Sequence, residues 1–519
     1  MTIEIYHWAD DKPEGFDVTD FFENGGKKSK FSNMIMSAEL FEIEKQREQQ
    51  LFNRTDAGNA ELFKKMHEST VKYEHQSGKY FIWNGQFWES DTANNIQNKA
   101  IETARFWKKL ALNIDNPNNA QEIFRHGLKS ENHKKLECML KIAKSLRGIS
   151  TLSHEWNQNP FLLQFKNGTL NLKTMVFLGG KQSDLISQCV GFDYDKKAKY
   201  PQFMKAIREI FNNDWNLIKF IQRAVGYSLT GDVSEGCFFI LHGSGSNGKT
   251  VILEIIKLLL GDYALNSSFS AFEKKYYYTQ SNDIARLKFA RLVTASESRI
   301  DKQFDEERLK SITGKDSITA RFLHKEYFTF KPRFKLWLGL NTLPSVSDFS
   351  YGFWRRVRVI PCHVLFEGKN NDKHIDEKLA KELPGIMNWA LEGLRQWIQT
   401  GGLNPPQKVI QATKSYRDKS DVVKEFLDGF VVKDSKKKIG AKELYDNYCA
   451  WYGIEYSDPP ISQAGFGVRV TLSTGIKSKA YGKKRRKTYI GLGMKDNFPY
   501  NSKKIQKSET VGKKCKMNL

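Results

Sequence analysis

The sequence is poor in cysteine and lacks long apolar runs and targeting signals. Its six cysteines are scattered through 519 residues, and no two stand at the spacing of zinc ligands. We therefore expect reduced thiols of minor structural importance. No stretch approaches the roughly 20 apolar residues that span a bilayer, and the amino terminus lacks the basic-then-apolar order of a signal peptide. These absences argue against a secreted or membrane protein and favour a cytoplasmic one.

Acidic residues are also few relative to basic ones. The chain has 82 Lys and Arg against 59 Asp and Glu, a formal net charge of +23 at pH 7. Such an excess usually serves a polyanionic partner, because duplex DNA carries about one negative charge per 1.7 Å. A membrane surface is the rival partner, but it would favour a basic amphipathic helix or a lipidation signal, and we find neither.

The length suggests about three or four domains. We divide the chain into a polar segment 1–60, a mixed region 61–205, a region 206–395 and a region 396–500, followed by a Lys-rich tail 501–519 that we expect to be disordered. Strand and helix signals alternate through 206–395, which predicts a parallel sheet flanked by helices. Beyond a proline-rich linker we predict two short helices, a third that starts near Ser462, and a basic hairpin.

Local signals organise the mixed region. Asn84-Gly85 lies between two aromatic runs and is a strong signal for a hairpin. Helical patterns follow around Ile96–Leu112 and Lys134–Leu146, and the run from Phe165 to Leu172 predicts a second hairpin.

A glycine-rich motif follows the apolar run Cys237–Leu241, which fits a buried strand. Its residues are Gly243, Ser244, Gly245, Ser246, Asn247, Gly248, Lys249 and Thr250. A helical pattern comes next, so the strand, loop and helix needed for phosphate binding stand in order. We predict that the loop binds ATP, with Lys249 at the β- and γ-phosphates and the Thr250 hydroxyl on Mg²⁺. A chance match in a Gly/Ser turn is the alternative.

Two further strands end in polar residues. Glu297 closes the run from Arg291 and is our candidate for the acid of the site. Ser296 stands where the first acid of the usual pair would be, so Glu297 would both bind the metal and polarise the water. Asn341 closes the run Phe334–Leu340 and is our candidate for orienting the water, as amides do in other NTPases. The alternatives are a surface glutamate and an ordinary turn asparagine.

Arg355 and Arg356 follow these strands. An exposed arginine pair here predicts an arginine finger that supplies charge to the γ-phosphate of an adjacent subunit, and we favour Arg356 for this role. A DNA-phosphate contact or a salt bridge is the alternative.

The order of motifs resembles superfamily III helicases, specifically the phage and plasmid primase-helicases related to those of poxviruses. The resemblance rests on GSGSNGKT, RLVTASE, LKSITGKDSITARFLHKEYFTFKP, and KLWLGLNTLP followed by GFWRRVRVIPC. It implies an α/β P-loop NTPase core of AAA+ type in 206–395, an α+β region before it, and a winged-helix domain in 396–500. It also implies a bacterial host cytoplasm.

The resemblance assigns DNA contacts to a hairpin of the 206–395 region, and it also bears on the segment 1–60. His324 and Lys325 fall where related viral helicases carry a hairpin that grips DNA in the channel of the ring, and a basic tip here could contact phosphates. The segment 1–60 resembles the end of a primase catalytic domain, although a Pro/Gly turn with scattered acids explains it equally well. A separate primase would then be a partner.

The carboxy-terminal region is the second DNA-binding candidate. In a winged helix, the wing would contact the backbone and the preceding helix could enter the major groove. The helix offers Gln463 and Arg469 as base contacts. The wing carries a basic run whose members are Lys483, Lys484, Arg485, Arg486 and Lys487. A solvated charged hairpin is the alternative.

Three functions are compatible with these features. We favour an ATP-dependent DNA helicase that forms a homo-oligomeric ring, expected to be a hexamer, with single-stranded DNA in its channel and duplex DNA at the winged helix. The second is an ATP-regulated initiator that binds an origin without processive unwinding. The third, a small-molecule kinase with a P-loop, fits poorly with the basic carboxy-terminal region.

Overall fold

We describe a computed structural model of the chain. The described residues are 52–274, 282–297, 303–323, 325–367, 372, 374–456, 460–482, 485–496 and 498–499. They form two compact units. The first holds the described residues up to Asn159, with 166–170 and 177–189, and the second holds 160–165, 171–176 and the chain from Val190 onward.

The first unit is a small mixed sheet packed with helices. Its elements are α1 (Asp56–His67), β1 (Val71–Glu74), β2 (Lys79–Trp83), β3 (Trp88–Ser90), α2 (Ile96–Ala111), α3 (Pro117–Ser130), α4 (His133–Ala143) and β4 (Ser150–Thr151), with strand order β3-β2-β1-β4. The predicted hairpin is confirmed, since Trp83 pairs with Trp88 across the Asn84-Gly85 turn. The two predicted helices are α2 and α4. Three short strands follow in the sequence, and their residues are divided between the two units: β5 (Leu162–Phe165), β6 (Gly168–Asn171) and β7 (Val176–Leu178).

A five-stranded sheet forms the centre of the second unit. The elements up to residue 400 are α5 (Pro201–Ile210), α6 (Trp215–Ser228), β8 (Phe238–His242), α7 (Lys249–Leu260), β9 (Ala264–Asn266), α8 (Asn282–Ala285), β10 (Leu292–Glu297), α9 (Glu306–Ile312), β11 (Ile318–Ala320), β12 (Phe328–Phe330), β13 (Lys335–Leu340), α10 (Tyr351–Trp354), β14 (Val357–Pro361), α11 (Ile375–Ala380) and α12 (Leu383–Thr400). The strand order is β14-β8-β13-β10-β9, and every pair is parallel, as predicted. β11 and β12 form a separate antiparallel hairpin.

The sheet is held by apolar burial. All six residues of β13 are buried, as are the first four of β8, because a parallel sheet in this type of fold is covered on both faces. Phe239 and Trp337 pack with ring centroids 4.4 Å apart on these neighbouring strands. Trp337 also donates its Nε1–H to the Ser228 hydroxyl at 3.1 Å, which ties the sheet to the end of α6.

Two buried cations sit at the amino-terminal edge of the sheet. Arg291 donates to the carbonyl of Leu229 at 2.8 Å, and Lys335 donates to the carbonyls of Thr230 and Asp232. Burial lowers the pKa of Arg291 to about 10 and that of Lys335 well below its usual value. Through these hydrogen bonds, the two side chains connect the segment after α6 to the first residues of the sheet.

The carboxy-terminal part has one strand more than the sequence predicted. Its elements are α13 (Gln407–Ser420), α14 (Val422–Phe430), β15 (Val431–Gly440), α15 (Ala441–Glu455), α16 (Gln463–Thr474), β16 (Lys479–Tyr481) and β17 (Arg486–Met494). The strands form an antiparallel sheet in the order β15-β17-β16. Three helices, and not two, precede α16. The missed strand β15 contains four lysines and a register irregularity between Lys433 and Lys438, so its sequence lacks clean apolar alternation.

Close packing of α6 against α12 yields a prediction about stability. A Cβ added to Gly393 would lie 1.9 Å from the Gln222 carbonyl oxygen, so the two helices would have to separate. We expect Gly393→Ala to destabilise the protein by about 1–3 kcal/mol, the usual cost of overpacking, measured as a lower midpoint of thermal unfolding. The control is Gly453→Ala within α15, where an added Cβ meets nothing within 4 Å. An unchanged midpoint for Gly393→Ala would contradict the observed packing.

Candidate functional site

The loop Gly243–Thr250 lies between β8 and α7 at the carboxyl-terminal edge of the parallel sheet. Gly245, Ser246 and Gly248 have positive φ angles of 117°, 43° and 77°, which turn the backbone sharply before the helix. The loop borders a pocket whose lining comprises Ala206, Glu209, Ile210, Gly245, Ser246, Asn247, Gly248, Lys249, Thr250, Val251, Ser296, Gly339, Asn341, Phe366, Asp372 and Ile375. A Cβ on Gly248 would lie 2.6 Å from the Ile210 side chain, so only glycine fits there without a shift.

Lys249 is a buried cation in the lining of this pocket, which also contains the acids Glu209 and Asp372. Its side chain is buried, and its Nζ donates to the Gly243 carbonyl and to Asn247 Oδ1, both at 2.7 Å. Burial lowers the pKa of the ammonium, although the adjacent Cys362 acts in the opposite direction. Both hydrogen-bond acceptors are neutral, so an anion in the pocket would gain a strong electrostatic partner.

Asn247 has a role that the motif alone did not predict. Its Nδ2 donates to the Cys362 carbonyl at 2.9 Å, while its Oδ1 accepts from Lys249. The Phe366 N–H further along the same segment donates to the Ser246 carbonyl at 2.7 Å. The segment that follows β14 therefore fixes the shape of the loop, which a pattern within eight residues cannot reveal.

The other predicted pocket residues come from the carboxyl ends of neighbouring strands. Ser296 and Asn341 line the pocket, and Asn341 follows β13 directly. Glu297 is the last residue of β10 and is in register with Leu340, but its side chain lies outside the described part of the structure. The structure thus places Asn341 at the pocket and the backbone of Glu297 at the same edge of the sheet, while Ser296, for which the sequence predicted no role, lines the pocket as well.

Outside the loop, the helix that follows it and the strand ends, six pocket residues were missed: Ala206, Glu209, Ile210, Phe366, Asp372 and Ile375. They come from α5 and from the segment after β14, well separated from the glycine motif in sequence. Their residue types also carry no motif, so only the fold could have identified them.

Arg355 and Arg356 lie at the opposite edge of the sheet. The Arg356 carbonyl accepts from the Phe238 N–H at 2.9 Å, at the amino-terminal start of β8. A strand of five residues separates this edge from the Gly243–Thr250 loop, about 15 Å at ~3.3 Å per residue. Arg355 is exposed, whereas Arg356 is partly buried and donates to the Gly352 carbonyl. Burial, followed by the repulsion of Arg355, lowers the pKa of Arg356.

The β11–β12 hairpin exposes a tip that is more apolar than the predicted basic one. Lys325 is exposed, and His324 lies outside the described residues. The side chains of Leu323 and Tyr327 are 59% and 62% exposed, and the Arg321 guanidinium lies 4.7 Å from the Tyr327 ring. The tip thus offers an aromatic and apolar surface beside its charges.

The β16–β17 hairpin carries the predicted basic run. Arg485, Arg486 and Lys487 are exposed, while Lys483 and Lys484 lie outside the described residues. On the neighbouring strand β16, Lys479 is also exposed. The chain from Gly475 to Lys495 contains no Asp or Glu, so the charged side chains of the hairpin are all positive.

The predicted base contact at Arg469 is wrong for this structure. The Arg469 side chain is only 12% exposed, because it pairs with Asp421 at 3.1 Å and donates to the Ser347 carbonyl at 2.8 Å. Its guanidinium also stacks 3.3 Å from the centroid of the Phe349 ring. The other candidate, Gln463, is exposed at the start of α16. The segments 1–51 and 500–519 lie outside the described residues.

No helix in the described part of the chain is long and apolar enough to span a membrane. Within the same residues, no group of three or more His, Cys, Asp or Glu side chains is arranged to hold a metal ion.

Comparison with known families gives two matches. Residues 60–212 match the family described as D5 N terminal like, and residues 241–356 match a family of unknown function, DUF5906. A solved structure of the NrS-1 C-terminal region aligns with 81% of this chain and 86% of its own, at 13% sequence identity and a TM-score of 0.41.

Curated relatives come from viruses. A candidate helicase of Acanthamoeba polyphaga mimivirus is 31% identical over 325 residues, which cover 58% of this chain and 34% of the relative. A candidate helicase of Frog virus 3 is 27% identical and covers 50% and 28%. A candidate primase of African swine fever virus is 22% identical and covers 42% and 25%. The chain therefore spans between a quarter and about a third of the length of these relatives.

The fold and the site define a mixed α/β protein with a buried lysine in a glycine-rich loop at the edge of its parallel sheet. The sequence comparisons identify its relatives more closely. They confirm the resemblance to the phage and viral primase-helicase family.

The contacts of Asn247 yield a prediction about anion binding. In Asn247→Asp, the new carboxylate would form an ion pair with Lys249 and compete with a bound anion. We expect the affinity for inorganic triphosphate and for ATP to fall about tenfold or more, because a hydrogen bond to a charged group is worth about 1.5–3 kcal/mol. Isothermal titration calorimetry would measure both affinities.

The control for this variant is Asn404→Asp, which adds the same charge at an exposed position of the same unit. Equal affinities for Asn247→Asp and the unmodified protein would show that the Lys249 contact does not compete with the ligand.

Proposed function

We propose that this chain is an ATP-dependent DNA helicase that works in replication of a phage or another mobile element, as a homo-oligomeric ring expected to be a hexamer. The family resemblance supports a role in replication. The observation that carries the ATP-driven part is the buried Lys249 ammonium, which faces the pocket with two neutral acceptors.

The residues present fit ATP and Mg²⁺. A Cβ on Gly243 would lie 2.1 Å from both Asn247 Nδ2 and the Cys362 carbonyl oxygen, so the loop is built for close backbone approach. Gly245–Thr250 would hold the phosphates with backbone N–H groups and the amino terminus of α7. Thr250 is exposed and would ligate the metal together with Glu297. Bound Mg²⁺ would neutralise charge that develops on the phosphate oxygens.

Asn341 at the pocket would orient the attacking water. The sheet order, with β8 between β14 and β13, is the order expected for an AAA+-type P-loop core, and it brings the ends of β10 and β13 to the same edge as the loop. The strand ends therefore supply the polar groups that hydrolysis requires.

The position of the arginine pair supports assembly into a ring. Arg355 and Arg356 lie at the opposite edge of the sheet from their own loop, about a strand length away. An arginine so placed serves the nucleotide of a neighbouring subunit and not its own. Hydrolysis would then require oligomerisation.

Two surfaces would contact DNA. The β11–β12 tip, with Lys325 and exposed rings, suits single-stranded DNA, because bases stack on aromatic side chains and phosphates pair with cations. The helix, strand, helix, helix and two-stranded hairpin order of α14–β17 supports the proposed winged helix, and its basic hairpin suits duplex DNA. A separate primase would be a further partner. The initiator without unwinding remains the second candidate, favoured by the basic hairpin alone.

Turnover and strand separation test the motor directly. We expect Lys249→Ala to abolish ATP hydrolysis and unwinding, because the phosphates lose their buried cation. Arg356→Ala should lower ATP turnover at least about 1000-fold, the usual value of an arginine finger, while the Kd for a non-hydrolysable ATP analogue stays within about twofold of the unmodified value.

A strand-displacement assay with and without ATP separates the two candidates. Full unwinding by Lys249→Ala would refute the helicase, and ATP turnover without strand displacement in the unmodified protein would favour the initiator.

The basic hairpin yields a prediction about salt dependence. We expect the triple variant Arg485→Gln, Arg486→Gln and Lys487→Gln to bind duplex DNA of every sequence with lower affinity. The slope of log K against log salt should become shallower by up to about 2.7, since each lost phosphate contact removes about 0.9. Fluorescence anisotropy over a salt series measures both.

The matched control for this triple variant removes three charges from exposed positions of the same unit that lie outside the hairpin, at Lys205, Lys381 and Arg395. The same change in slope for both triples would mean that net charge and not the hairpin determines duplex binding.

A further inference from the structure

The contacts of Arg469 connect the carboxy-terminal module to the segment that carries the arginine pair. Arg469 belongs to α16, and its three partners come from elsewhere: Asp421 precedes α14, while Ser347 and Phe349 belong to the segment between β13 and α10. An ion pair, a hydrogen bond and a ring contact thus converge on one guanidinium. With a side-chain exposure of 12%, it is largely withdrawn from solvent.

The segment 347–350 is held equally firmly from its other side by α9. Glu306 Oε1 accepts from the Ser347 N–H at 2.6 Å and from the Ser347 hydroxyl at 2.9 Å. Lys310 pairs with Asp348 at 2.9 Å. The segment is therefore fixed between α9 and the carboxy-terminal module.

The same segment sets the start of the arginine-bearing turn. Asp348 accepts from the Ser350 N–H at 2.8 Å, and the Ser350 hydroxyl caps α10 by accepting from Phe353. α10 ends at Trp354, and Arg355 and Arg356 follow at once. A shift of Phe349 would be transmitted through one short helical turn to the pair, since packed groups of this kind move together.

We propose that Arg469 is a positioning residue for Arg355 and Arg356, and that the carboxy-terminal module must be docked through it for the pair to serve a neighbouring subunit. This proposal rests on the proposed hydrolysis between subunits. It adds that Arg469 couples the position of the arginine pair to docking of the carboxy-terminal module. Arg469 itself is not part of the lining of the pocket that the Gly243–Thr250 loop borders.

Removal of the guanidinium should therefore lower turnover and spare nucleotide binding. We expect Arg469→Met to reduce kcat for ATP between about 10-fold and 100-fold, because a shift of about 1 Å in a catalytic group can cost about 100-fold. The KM for ATP should stay within about twofold. Arg469→Lys keeps the charge but not the fork and the stacking plane, so an intermediate kcat is expected.

Two further variants test the position of the effect. Phe349→Leu removes the ring beneath the guanidinium from the motor side and should lower kcat in the same way. Arg395→Met is the matched control, because Arg395 also pairs with an acid at 3.1 Å but does so at the surface, with 45% side-chain exposure. It should leave kcat unchanged.

Mixed rings distinguish positioning from misfolding. A Lys249→Ala subunit cannot hydrolyse ATP but keeps an intact arginine pair, whereas an Arg469→Met subunit keeps an intact ATP loop. We expect a mixture of the two to turn over ATP faster than the sum of the separate proteins. A mixture of Arg356→Ala with Lys249→Ala, restored in the same way, serves as the reference.

Normal kcat in Arg469→Met would overturn the proposal. So would a defect that Lys249→Ala subunits do not relieve although they relieve Arg356→Ala, because the fault would then lie in the subunit's own site or fold. Failure of the Arg356→Ala reference mixture would instead remove the arrangement between subunits, and this inference with it.

Discussion

The structure depends on how buried cations are satisfied at the two edges of one parallel sheet. At the amino-terminal edge, Lys335 and Arg291 donate to backbone carbonyls and lie 4.7 Å and 4.3 Å from the rings of Tyr227 and Tyr263. At the carboxyl-terminal edge, Lys249 has one carbonyl and one amide oxygen and faces a pocket. A buried charge is costly unless it is well paired. At the first edge the cations have only partners within the chain, whereas at the second edge Lys249 can also contact an anion in the pocket.

The apolar sheet explains why both edges hold their positions. β8 and β13 are buried along nearly their whole length, so neither strand can slide without exposing its neighbours. The loop and the arginine pair therefore remain a fixed strand length apart. That rigidity supports the proposed action between subunits, because the loop and the arginine pair of one chain stay at opposite edges of the sheet.

The sequence predicted those parts of the fold that short segments encode. The glycine loop, the strands that end at Ser296 and Asn341, and the hairpin at Asn84-Gly85 each have a local signal in residue type and spacing. β15 was missed because its lysines interrupt the alternation that identifies a strand. Phe366, Ile375 and the contacts of Asn247 were missed because they depend on segments more than 100 residues from the loop, which only folding brings near.

Arg469 illustrates the same limit in its strongest form. An arginine in the helix that precedes the wing of a winged-helix pattern is typical of a base contact, and nothing in α16 itself argues otherwise. Its true partners lie about 50 residues away at Asp421 and about 120 residues away at Ser347. Desolvation by this close packing lowers the pKa of Arg469, and the charge of Asp421 acts in the opposite direction. The guanidinium is paired with Asp421 and is therefore not available to DNA in this arrangement. Since Arg469 is the only cation of α16, the proposed duplex contacts would come from the neighbouring basic hairpin. Affinity carried by such a hairpin would be largely independent of DNA sequence.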